Sequence, residues 1–340
     1  MKASPIKSSD ISVVVQGPID PKYTHLCLKS VKAFLPDAQI ILSTWPNPNL
    51  SDLIFDKLII NDDPGAKVSH THQNMMDNTN RQIVSTLAGV NASDRKYVLK
   101  LRSDIVLRSN NFLKFFQKFP CRNPQYSLFS ERVLIPACYS RKYYGASGRK
   151  PVVFHPGDWI YFGLRQDIFS LFDIPLKTDD DQRYFDGRLH ELEGDPWPEH
   201  LWRHSPEQWI FLQFVKKFMQ VDLAHKNENV ETFAPLSERI FANNFISIDQ
   251  GQWRFDMPKY HFRQWRLNDD EWRGLYRHIV WLKDYRRFSN GAHGALEGIV
   301  TSDSVLHYAY KKLSLIRLIA SFPRKAALIF RKKYIESRKL

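Results

Sequence analysis

The chain has 340 residues, of which 43% are hydrophobic, 25% are charged and 14% are aromatic. This composition excludes a disordered chain, a collagen-like repeat and a small disulfide-stabilised scaffold. The formal net charge of +13 leaves nucleic acid, an anionic membrane surface and anionic substrates as candidate partners.

Predicted strands and helices alternate through the first 130 residues. Short apolar runs predict strands at 11–16, 39–43, 57–60 and 97–101. Helical periodicity places helices at 25–35 and 73–87. Because each strand is apolar on both faces, we expect an α/β fold with a mostly parallel sheet flanked by helices. Ligands of such sheets bind beyond the carboxyl ends of the strands, so the residues that follow them are the first functional candidates.

Asp104 follows the fourth predicted strand and is the strongest candidate for chemistry. At the sheet edge its carboxylate would be an oxygen ligand for Mg²⁺ or Mn²⁺, which bridge carboxylates to phosphates. The segment Arg102-Ser103-Asp104 keeps the last Asp of an Asp-x-Asp pattern but has Arg at the first position. An arginine there could bind a diphosphate directly. The alternative is an aspartate that caps a turn.

A dense polar cluster, Asn78 to Gln82, lies early in the helix predicted at 73–87. A cluster of this kind is unusual in a helix that must bury one face. It would present Asn80 and Arg81 to a nucleotide, or it forms a solvated first turn. The residues alone leave both interpretations open.

The region from 130 to 260 is richer in aromatic residues, prolines and charges. Its most informative segment, His155-Pro156-Gly157-Asp158-Trp159, combines a titratable pair with a turn and an aromatic ring. Asp158 is a candidate general base for an acceptor hydroxyl, or it binds the acceptor's hydroxyls together with His155. Trp159 would stack on the apolar face of a sugar, or it packs in the core.

Ser205 and Pro206 predict the start of a helix, with Glu207 and Gln208 in its first turn. Glu207 is a second candidate general base, with Gln208 hydrogen-bonding the substrate. The helix dipole favours a carboxylate in this position in any case. Further along, His225 is a candidate metal ligand or a structural histidine.

The positive charge is concentrated at the end of the sequence. Residues 311–340 carry ten Lys and Arg against one acid, whereas the preceding 310 residues carry 39 against 35. Apolar residues at helical spacing among these charges predict an amphipathic helix on an anionic membrane surface; a solvated helix packed on the body is the alternative. The body has no zinc-finger spacing and no basic recognition helix, so we expect no nucleic-acid partner.

Several classes of protein are excluded by missing patterns. No run of about 18 or more apolar residues predicts a membrane span, and the first residues lack the apolar core of a secretory signal. Three cysteines without a CxxC pair favour a reducing compartment, so we expect a cytoplasmic protein. The patterns GxGxxG, GxxxxGK[ST], GxSxG and HExxH do not occur, which favours a site assembled from strand ends.

Seven motifs in this order resemble the WavE-type lipopolysaccharide synthesis family. They are VVVQGPI at 13–19, IILSTW at 40–45, DDPG at 62–65, NTNRQIVST at 78–86, YVLKLRSDI at 97–105, HPGDWIYFGL at 155–164 and PEQW at 206–209. Together they cover roughly residues 11–225, about two-thirds of the chain. Members of this family are regarded as glycosyltransferases of bacterial surface-polysaccharide assembly, with a GT-A-like, Rossmann-type fold.

The resemblance implies roles for the residues that match these motifs. Those implied to line the donor site are Gln16, Gly17, Asp63, Asn80, Arg81 and Arg102. Asp104 would take the place of the metal-binding aspartate of the Asp-x-Asp element. Arg102 departs from the first acid of that element, which puts metal dependence in question. Asp158 and Glu207 would be the two candidates for the catalytic base.

The sequence therefore predicts a glycosyltransferase that transfers a sugar from a nucleotide-sugar donor to a lipopolysaccharide or lipid-linked polysaccharide acceptor. We expect it at the inner face of the bacterial inner membrane. Residues 1–260 would form a catalytic domain with a donor half at about 1–130 and an acceptor half at about 131–260, followed by a helical region at 261–340. The alternatives are a non-catalytic saccharide- or nucleotide-binding subunit of an assembly complex and a phosphate-group transferase.

Overall fold

The computed structural model describes residues 5–68, 76–144, 150–193, 195, 201–259 and 274–290. These residues belong to a unit that ends at Asn290. A second unit, from Gly291 to Leu340, lies outside the described residues. The basic tail predicted at 311–340 therefore also lies outside them.

Most of the described strands belong to one central sheet. The strands are β1 (Ile11–Gln16), β2 (Gln39–Thr44), β3 (Lys57–Ile60), β4 (Lys67–Val68), β5 (Met76–Asp77), β6 (Tyr97–Arg102), β7 (Val106–Leu107), β8 (Val133–Pro136), β9 (Ile160–Leu164), β10 (Phe245–Ile248) and β11 (Phe255–Asp256). Seven of them form a sheet in the order β10-β8-β9-β6-β1-β2-β3. Only β9 runs antiparallel to its neighbours in this sheet. Two small antiparallel pairs, β4 with β5 and β7 with β11, lie outside it.

Helices flank the sheet. Those described are α1 (Thr24–Phe34), α2 (Thr79–Asn91), α3 (Arg165–Phe172), α4 (Asp179–Gln182), α5 (Pro206–Lys216), α6 (Val230–Asn244), α7 (Gln250–Trp253) and α8 (His278–Phe288). The architecture confirms the predicted α/β fold with a mostly parallel sheet. Of the helical region predicted at 261–340, α8 is described, and it packs on α6 and β10.

The apolar sequences of β1 and β2 explain their central position. Every residue of both strands is buried, as expected for parallel strands covered on both faces. Helix α2 packs closely on β1 because Gly89 has no side chain. A Cβ atom at Gly89 would lie 2.3 Å from Val14 Cγ1. The sequence thus allows the helix to approach the strand that precedes the candidate site.

The chain reverses its order across the sheet between β1 and β6. It runs outward from β1 through β2 to β3 and then returns to place β6 on the other side of β1. Gln16 at the end of β1 lies in register with Arg102 at the end of β6. Such a switch point leaves a crevice at the carboxyl ends of the strands, where ligands bind. The reversed strand β9 begins at the same edge, since Ile160 pairs with Leu101.

The start predicted for the helix at 73–87 is wrong, because α2 begins at Thr79. Met76 and Asp77 instead pair with β4. Asp77 Oδ1 accepts hydrogen bonds from the backbone N–H of Thr79 at 2.9 Å and from its hydroxyl at 2.5 Å, which stabilises the first helical turn. The methionines before Asp77 continue the apolar spacing, so the pattern alone extends the helix too far.

Within the described ranges, no helix is long and apolar enough to cross a membrane.

Candidate active site

Arg102 and Asp104 form an ion pair at the carboxyl end of β6. Arg102 Nε lies 3.1 Å from Asp104 Oδ1, and its Nη2 lies 2.7 Å from Oδ2. Asp104 is buried, whereas Arg102 remains partly exposed. The guanidinium carbon lies 4.6 Å from the centroid of the Trp159 ring. The structure therefore brings three predicted site residues together and shows that Trp159 packs against Arg102.

The end of β1 lies beside this pair, as predicted for Gln16 and Gly17. Gln16 Oε1 accepts a hydrogen bond from Ser85 Oγ of α2 at 2.8 Å, which orients the side chain. Gly17 has a φ angle of +114°, a conformation that residues with a side chain rarely adopt. A glycine is therefore required where the chain turns away from the sheet at the crevice.

Asp63 and Arg81 also form a bidentate pair. Arg81 Nε lies 2.7 Å from Asp63 Oδ1, and its Nη2 lies 2.6 Å from Oδ2. These hydrogen bonds hold the pKa of Asp63 below its usual value. Both side chains are partly exposed. The predicted proximity of these two residues is thus present in the structure.

Asn80 is buried and connects α2 to a distant segment. Its Nδ2 donates to the Lys177 carbonyl at 3.0 Å, and its Oδ1 accepts from the Lys177 N–H at 2.8 Å. The Lys177 ammonium is itself buried and binds Asp77 Oδ2 at 2.8 Å. These contacts give Asn80 a structural role, while its role in nucleotide binding stays a prediction.

The turn that carries Asp158 packs tightly on the segment after β8. A Cβ atom at Gly157 would lie 2.4 Å from the Cys138 carbonyl oxygen, so only glycine fits. The Gly157 N–H donates to Ser140 Oγ at 2.8 Å. Phe154 is fully buried with a φ angle of +51°, an unusual conformation for an aromatic residue. Packing therefore fixes the position of Asp158.

Asp158 is buried, and the side chain of Glu207 is mostly buried, with 14% of its surface exposed. Burial, with the negative charge of Glu207, raises the pKa of Asp158 to about 6, against the opposing charges of Lys100 and Arg102. Burial also raises the pKa of Glu207. Among the described residues, Asp158 Oδ1 has no hydrogen-bond partner. A carboxylate of this kind accepts a proton more readily than an ordinary aspartate while remaining largely ionised at neutral pH.

His155 lies next to Glu207 but does not form an ion pair with it. Its Nε2 is 3.7 Å from Glu207 Oε2. Burial, together with the positive charge of Arg141, lowers the pKa of His155 to about 3, so the ring is neutral at pH 7. The pair predicted from the sequence therefore consists of one ionisable carboxyl group, Asp158, and one neutral imidazole.

Gln208 is only 1% exposed. Its Nε2 donates to the Val153 carbonyl at 2.9 Å, which connects α5 to the chain before the Asp158 turn. Ser205 caps the helix, since its Oγ accepts from the Gln208 N–H at 3.2 Å. These contacts position Glu207 at the helix start, and the predicted role of Gln208 in binding substrate stays a prediction.

His225 lies in a different set of contacts from Asp104. Its Nε2 is 3.6 Å from Glu191 Oε2, and its ring packs against Tyr184 and Phe185. Burial lowers its pKa. No group of three His, Cys, Asp or Glu side chains suited to a metal ion occurs in the described part of the chain. Metal binding by Asp104 or His225 stays a prediction.

Sequence reasoning missed Lys100 and Gln82. The Lys100 ammonium and the Gln82 amide, the latter at 3.1 Å, both donate to the Asp158 carbonyl oxygen. A lysine at the centre of the apolar strand YVLKLR was the available signal, because a charge there must be compensated. Gln82 gave no signal, since a glutamine early in a helix is commonly solvated.

The sequence matches the family described as WavE lipopolysaccharide synthesis over residues 11–312. The chain belongs to the WavE lipopolysaccharide synthesis family. The match extends beyond the seven motifs and includes every predicted site residue. A search of curated proteins found no match. Membership of the WavE family supports a part for this protein in lipopolysaccharide synthesis.

Proposed function

We propose that this WavE family member is a glycosyltransferase that transfers a sugar from a nucleotide-sugar donor to a saccharide acceptor of lipopolysaccharide synthesis. The observation that carries the proposal is the buried carboxyl group of Asp158, with its raised pKa, at the sheet edge that also holds Arg102 and Asp104. A base and a fixed cation are the two groups that displacement of a nucleoside diphosphate by a hydroxyl requires.

The donor would bind at the carboxyl ends of β1 and β6. Arg102 would exchange Asp104 for the diphosphate, which offers the same bidentate geometry to a guanidinium group. Its charge then stabilises the negative charge that develops on the leaving diphosphate. Arg81 provides a second partly exposed arginine that is already held by a carboxylate. A GT-A-like donor site of this kind agrees with the ligand crevice expected at the switch point.

The acceptor would approach from the turn before β9 and the start of α5. Asp158 accepts the proton of the acceptor hydroxyl, whose oxygen forms the bond to the anomeric carbon as the bond to the diphosphate breaks. A single displacement of this kind inverts the anomeric carbon. Glu207 is the second candidate for the base, because its mostly buried carboxyl group lies 3.7 Å from His155 and its pKa is also raised.

A divalent cation would have one described carboxylate in this position, Asp104, and both of its oxygens bind Arg102. The described residues include no group of three or more His, Cys, Asp or Glu side chains that could hold a metal ion. Charge neutralisation at the diphosphate is therefore assigned to Arg102. Binding of Mg²⁺ or Mn²⁺ at Asp104 stays a prediction that chelation of the purified protein tests.

The acceptor we propose is a lipopolysaccharide or lipid-linked saccharide, and the enzyme would work at the inner face of the inner membrane. The support is the WavE family membership and the basic amphipathic sequence at 311–340. That segment lies outside the described residues, so its place in the proposal depends on its charge and spacing alone.

The experiment is turnover of a panel of nucleotide sugars by the purified protein, with truncated lipopolysaccharides as acceptors. We expect one donor to be consumed, with loss of turnover in Asp104→Ala and in Asp158→Asn. Arg102→Met should also lower turnover. Its matched control is Arg108→Met, because Arg108 also binds an aspartate, Asp256, but lies outside the site. No consumption of any donor with any acceptor would contradict the proposal.

The alternative is a non-catalytic subunit that binds a nucleotide or a saccharide. The observation that favours it is the Arg102–Asp104 pair, in which an arginine replaces an expected acid. Saturation-transfer NMR with the same panel distinguishes the two. Binding of a nucleotide sugar without turnover by the complete protein, whichever acceptor is added, would favour the binding subunit. Transfer of a phosphate-containing group would instead appear as a phosphorylated acceptor.

A further inference from the structure

We propose that Lys100 is the positioning residue of Asp158: its ammonium group fixes the turn that carries Asp158 and keeps the Asp158 carboxylate ionised and ready to accept a proton. This inference rests on the proposed function of Asp158 as the base. It assigns a role to a charged group that the reaction does not otherwise use.

Lys100 lies at the centre of β6 and is 0% exposed. Its neighbour on β9 is Tyr161, and its ammonium nitrogen lies 5.7 Å from the centroid of that ring and 5.9 Å from the ring of Phe172 on α3. An ammonium group surrounded by apolar residues is strongly destabilising unless a nearby group compensates its charge. The place of Lys100 in the sheet therefore requires an anionic or strongly polar neighbour.

The neighbour is Asp158. The Lys100 ammonium donates to the Asp158 carbonyl oxygen, and Gln82 donates to the same oxygen from α2. The Asp158 carbonyl thus accepts hydrogen bonds from two different elements, β6 and α2. These bonds fix the turn before β9 at Asp158. The carboxylate oxygen Oδ1 is buried without a hydrogen-bond partner among the described residues. The charges of Lys100 and Arg102, together with a hydrogen bond from Gln82, oppose the effect of burial on the negative charge of this carboxylate.

The charged groups around Lys100 come from three elements. Arg102 and Asp104 lie at the end of β6, Asp158 lies in the turn before β9, and Glu207 lies at the start of α5. Burial lowers the pKa of Lys100 to about 7, and the three carboxylates oppose that change. The cluster holds three carboxylates and two cations. Loss of Lys100 would leave Arg102 as the one cation named in this cluster.

The consequence concerns the proton affinity of Asp158. The charge of Lys100 lowers the pKa of Asp158 against the effect of burial, and an opposite charge within about 4 to 6 Å of a carboxyl group typically lowers its pKa by about 1 to 3 units. Without Lys100, we therefore expect Asp158 to titrate at least about one pH unit higher. At neutral pH about half or more of the Asp158 carboxyl groups would then be protonated, and this fraction would not accept the proton of a hydroxyl.

The experiment compares Lys100→Met, which removes the charge, with Lys100→Arg, which keeps it, in both the Asp158 and the Asp158→Asn backgrounds. The urea midpoint is measured from pH 4.5 to 8.5, and comparison with the Asp158→Asn curve shows the part of the pH dependence that requires the Asp158 carboxyl group. We expect this titration to move upward by about one unit or more in Lys100→Met and to stay in place in Lys100→Arg. Lys96→Met is the matched control, because Lys96 is exposed just before β6.

An unmoved Asp158 titration in Lys100→Met would overturn the inference. If Lys100→Met does not fold, the double variant with Asp158→Asn decides: recovery of folding supports a charge relationship between the two residues, and failure to recover shows a purely structural lysine.

These measurements need no turnover, so they separate this inference from the proposed function. If the Asp158 titration moves but the protein consumes no donor, the role of Lys100 is supported and the proposed function is contradicted. If the protein turns over a donor but the titration does not move, the proposed function is supported and the role of Lys100 is contradicted. In an active enzyme, the acidic limb of kcat/KM must move with the titration.

Discussion

The guanidinium group of Arg102 binds both carboxylate oxygens of Asp104, at 3.1 and 2.7 Å, two residues further along the same chain. The two residues belong to one short segment, and the Trp159 ring packs against the guanidinium group at the end of β6. Binding of a diphosphate would replace one bidentate anion by another. The arginine is thus preorganised for its proposed ligand.

Arg102→Met should lower kcat/KM for the donor by about 10²- to 10³-fold, because one preorganised group that stabilises the leaving diphosphate is lost. Steady-state kinetics with the identified donor checks this. Arg108→Met, the matched surface substitution, should leave kcat/KM within experimental error. Equal losses in the two variants would show a general effect of charge and contradict the assignment.

Activity should depend on pH through Asp158. Its pKa is raised to about 6, and the base must be deprotonated, so kcat/KM should rise as pH increases through about 6. Asp158→Asn should abolish this limb and lower turnover by about 10²- to 10⁴-fold. Glu207→Gln should keep the limb. The opposite result, a limb lost only in Glu207→Gln, would identify Glu207 as the base.

Gly157→Ala should destabilise the protein by about 1 to 3 kcal/mol and reduce activity, because the new methyl group would meet the Cys138 carbonyl at 2.4 Å. Urea unfolding and turnover at saturating donor check the two effects. Gly251→Ala is the control, since nothing lies within 4 Å of a Cβ atom there. Unchanged stability in Gly157→Ala would show that the turn has room to move.

Lys177→Met should destabilise the fold by about 3 to 5 kcal/mol, because it leaves the buried Asp77 carboxylate without its cation. Burial raises the pKa of Asp77, but the charge and hydrogen bond of Lys177 outweigh burial and lower it overall. The stabilisation by this pair is therefore present above the unfolded pKa of Asp77 and lost as pH falls through the lower folded value. Urea unfolding at pH 7 and at acidic pH measures it.

The control for Lys177→Met is Lys57→Met. Lys57 binds Asp94 at 3.2 Å, but the two side chains are 42% and 55% exposed. An exposed pair contributes about 0 to 1 kcal/mol, so this variant should be nearly as stable as the wild type. Similar losses for Lys57→Met and Lys177→Met would contradict the importance given to burial.

Deletion of residues 311–340 should release the protein from vesicles that contain anionic lipid, because ten of its Lys and Arg are removed with one acid. Sedimentation with anionic and with zwitterionic vesicles checks this, and unchanged urea unfolding shows that the remaining protein is intact. A truncated protein that still sediments with anionic vesicles would contradict the membrane-surface interpretation of the tail.

The central sheet could be predicted because β1, β2 and β6 are short, mostly apolar runs. Such a composition indicates strands that are buried on both faces. The common edge of Gln16, Arg102 and Asp104 followed from parallel topology alone. The start of α2 could not be predicted, since it depends on hydrogen bonds from Thr79 to Asp77.

The finer organisation of the site depends on contacts between residues far apart in the sequence. Asn80 binds the backbone of Lys177, and Gln208 binds the carbonyl of Val153. Neither partner is distinguished by its own sequence context. In a single sequence, a polar residue that stabilises the fold cannot be distinguished from one that binds substrate. The sequence therefore predicts binding roles for Asn80 and Gln208 without revealing their structural contacts.

Because β9 runs antiparallel to β6, the turn before it lies at the sheet edge where β6 ends, and two kinds of chain segment contribute to the site. Gln16 and Arg102 end the central strands β1 and β6, whereas Asp158 and Glu207 lie in a turn and at a helix start. In the proposed glycosyltransferase, replacement of these connecting segments would change the acceptor, while the strand ends proposed to bind the donor stay in place.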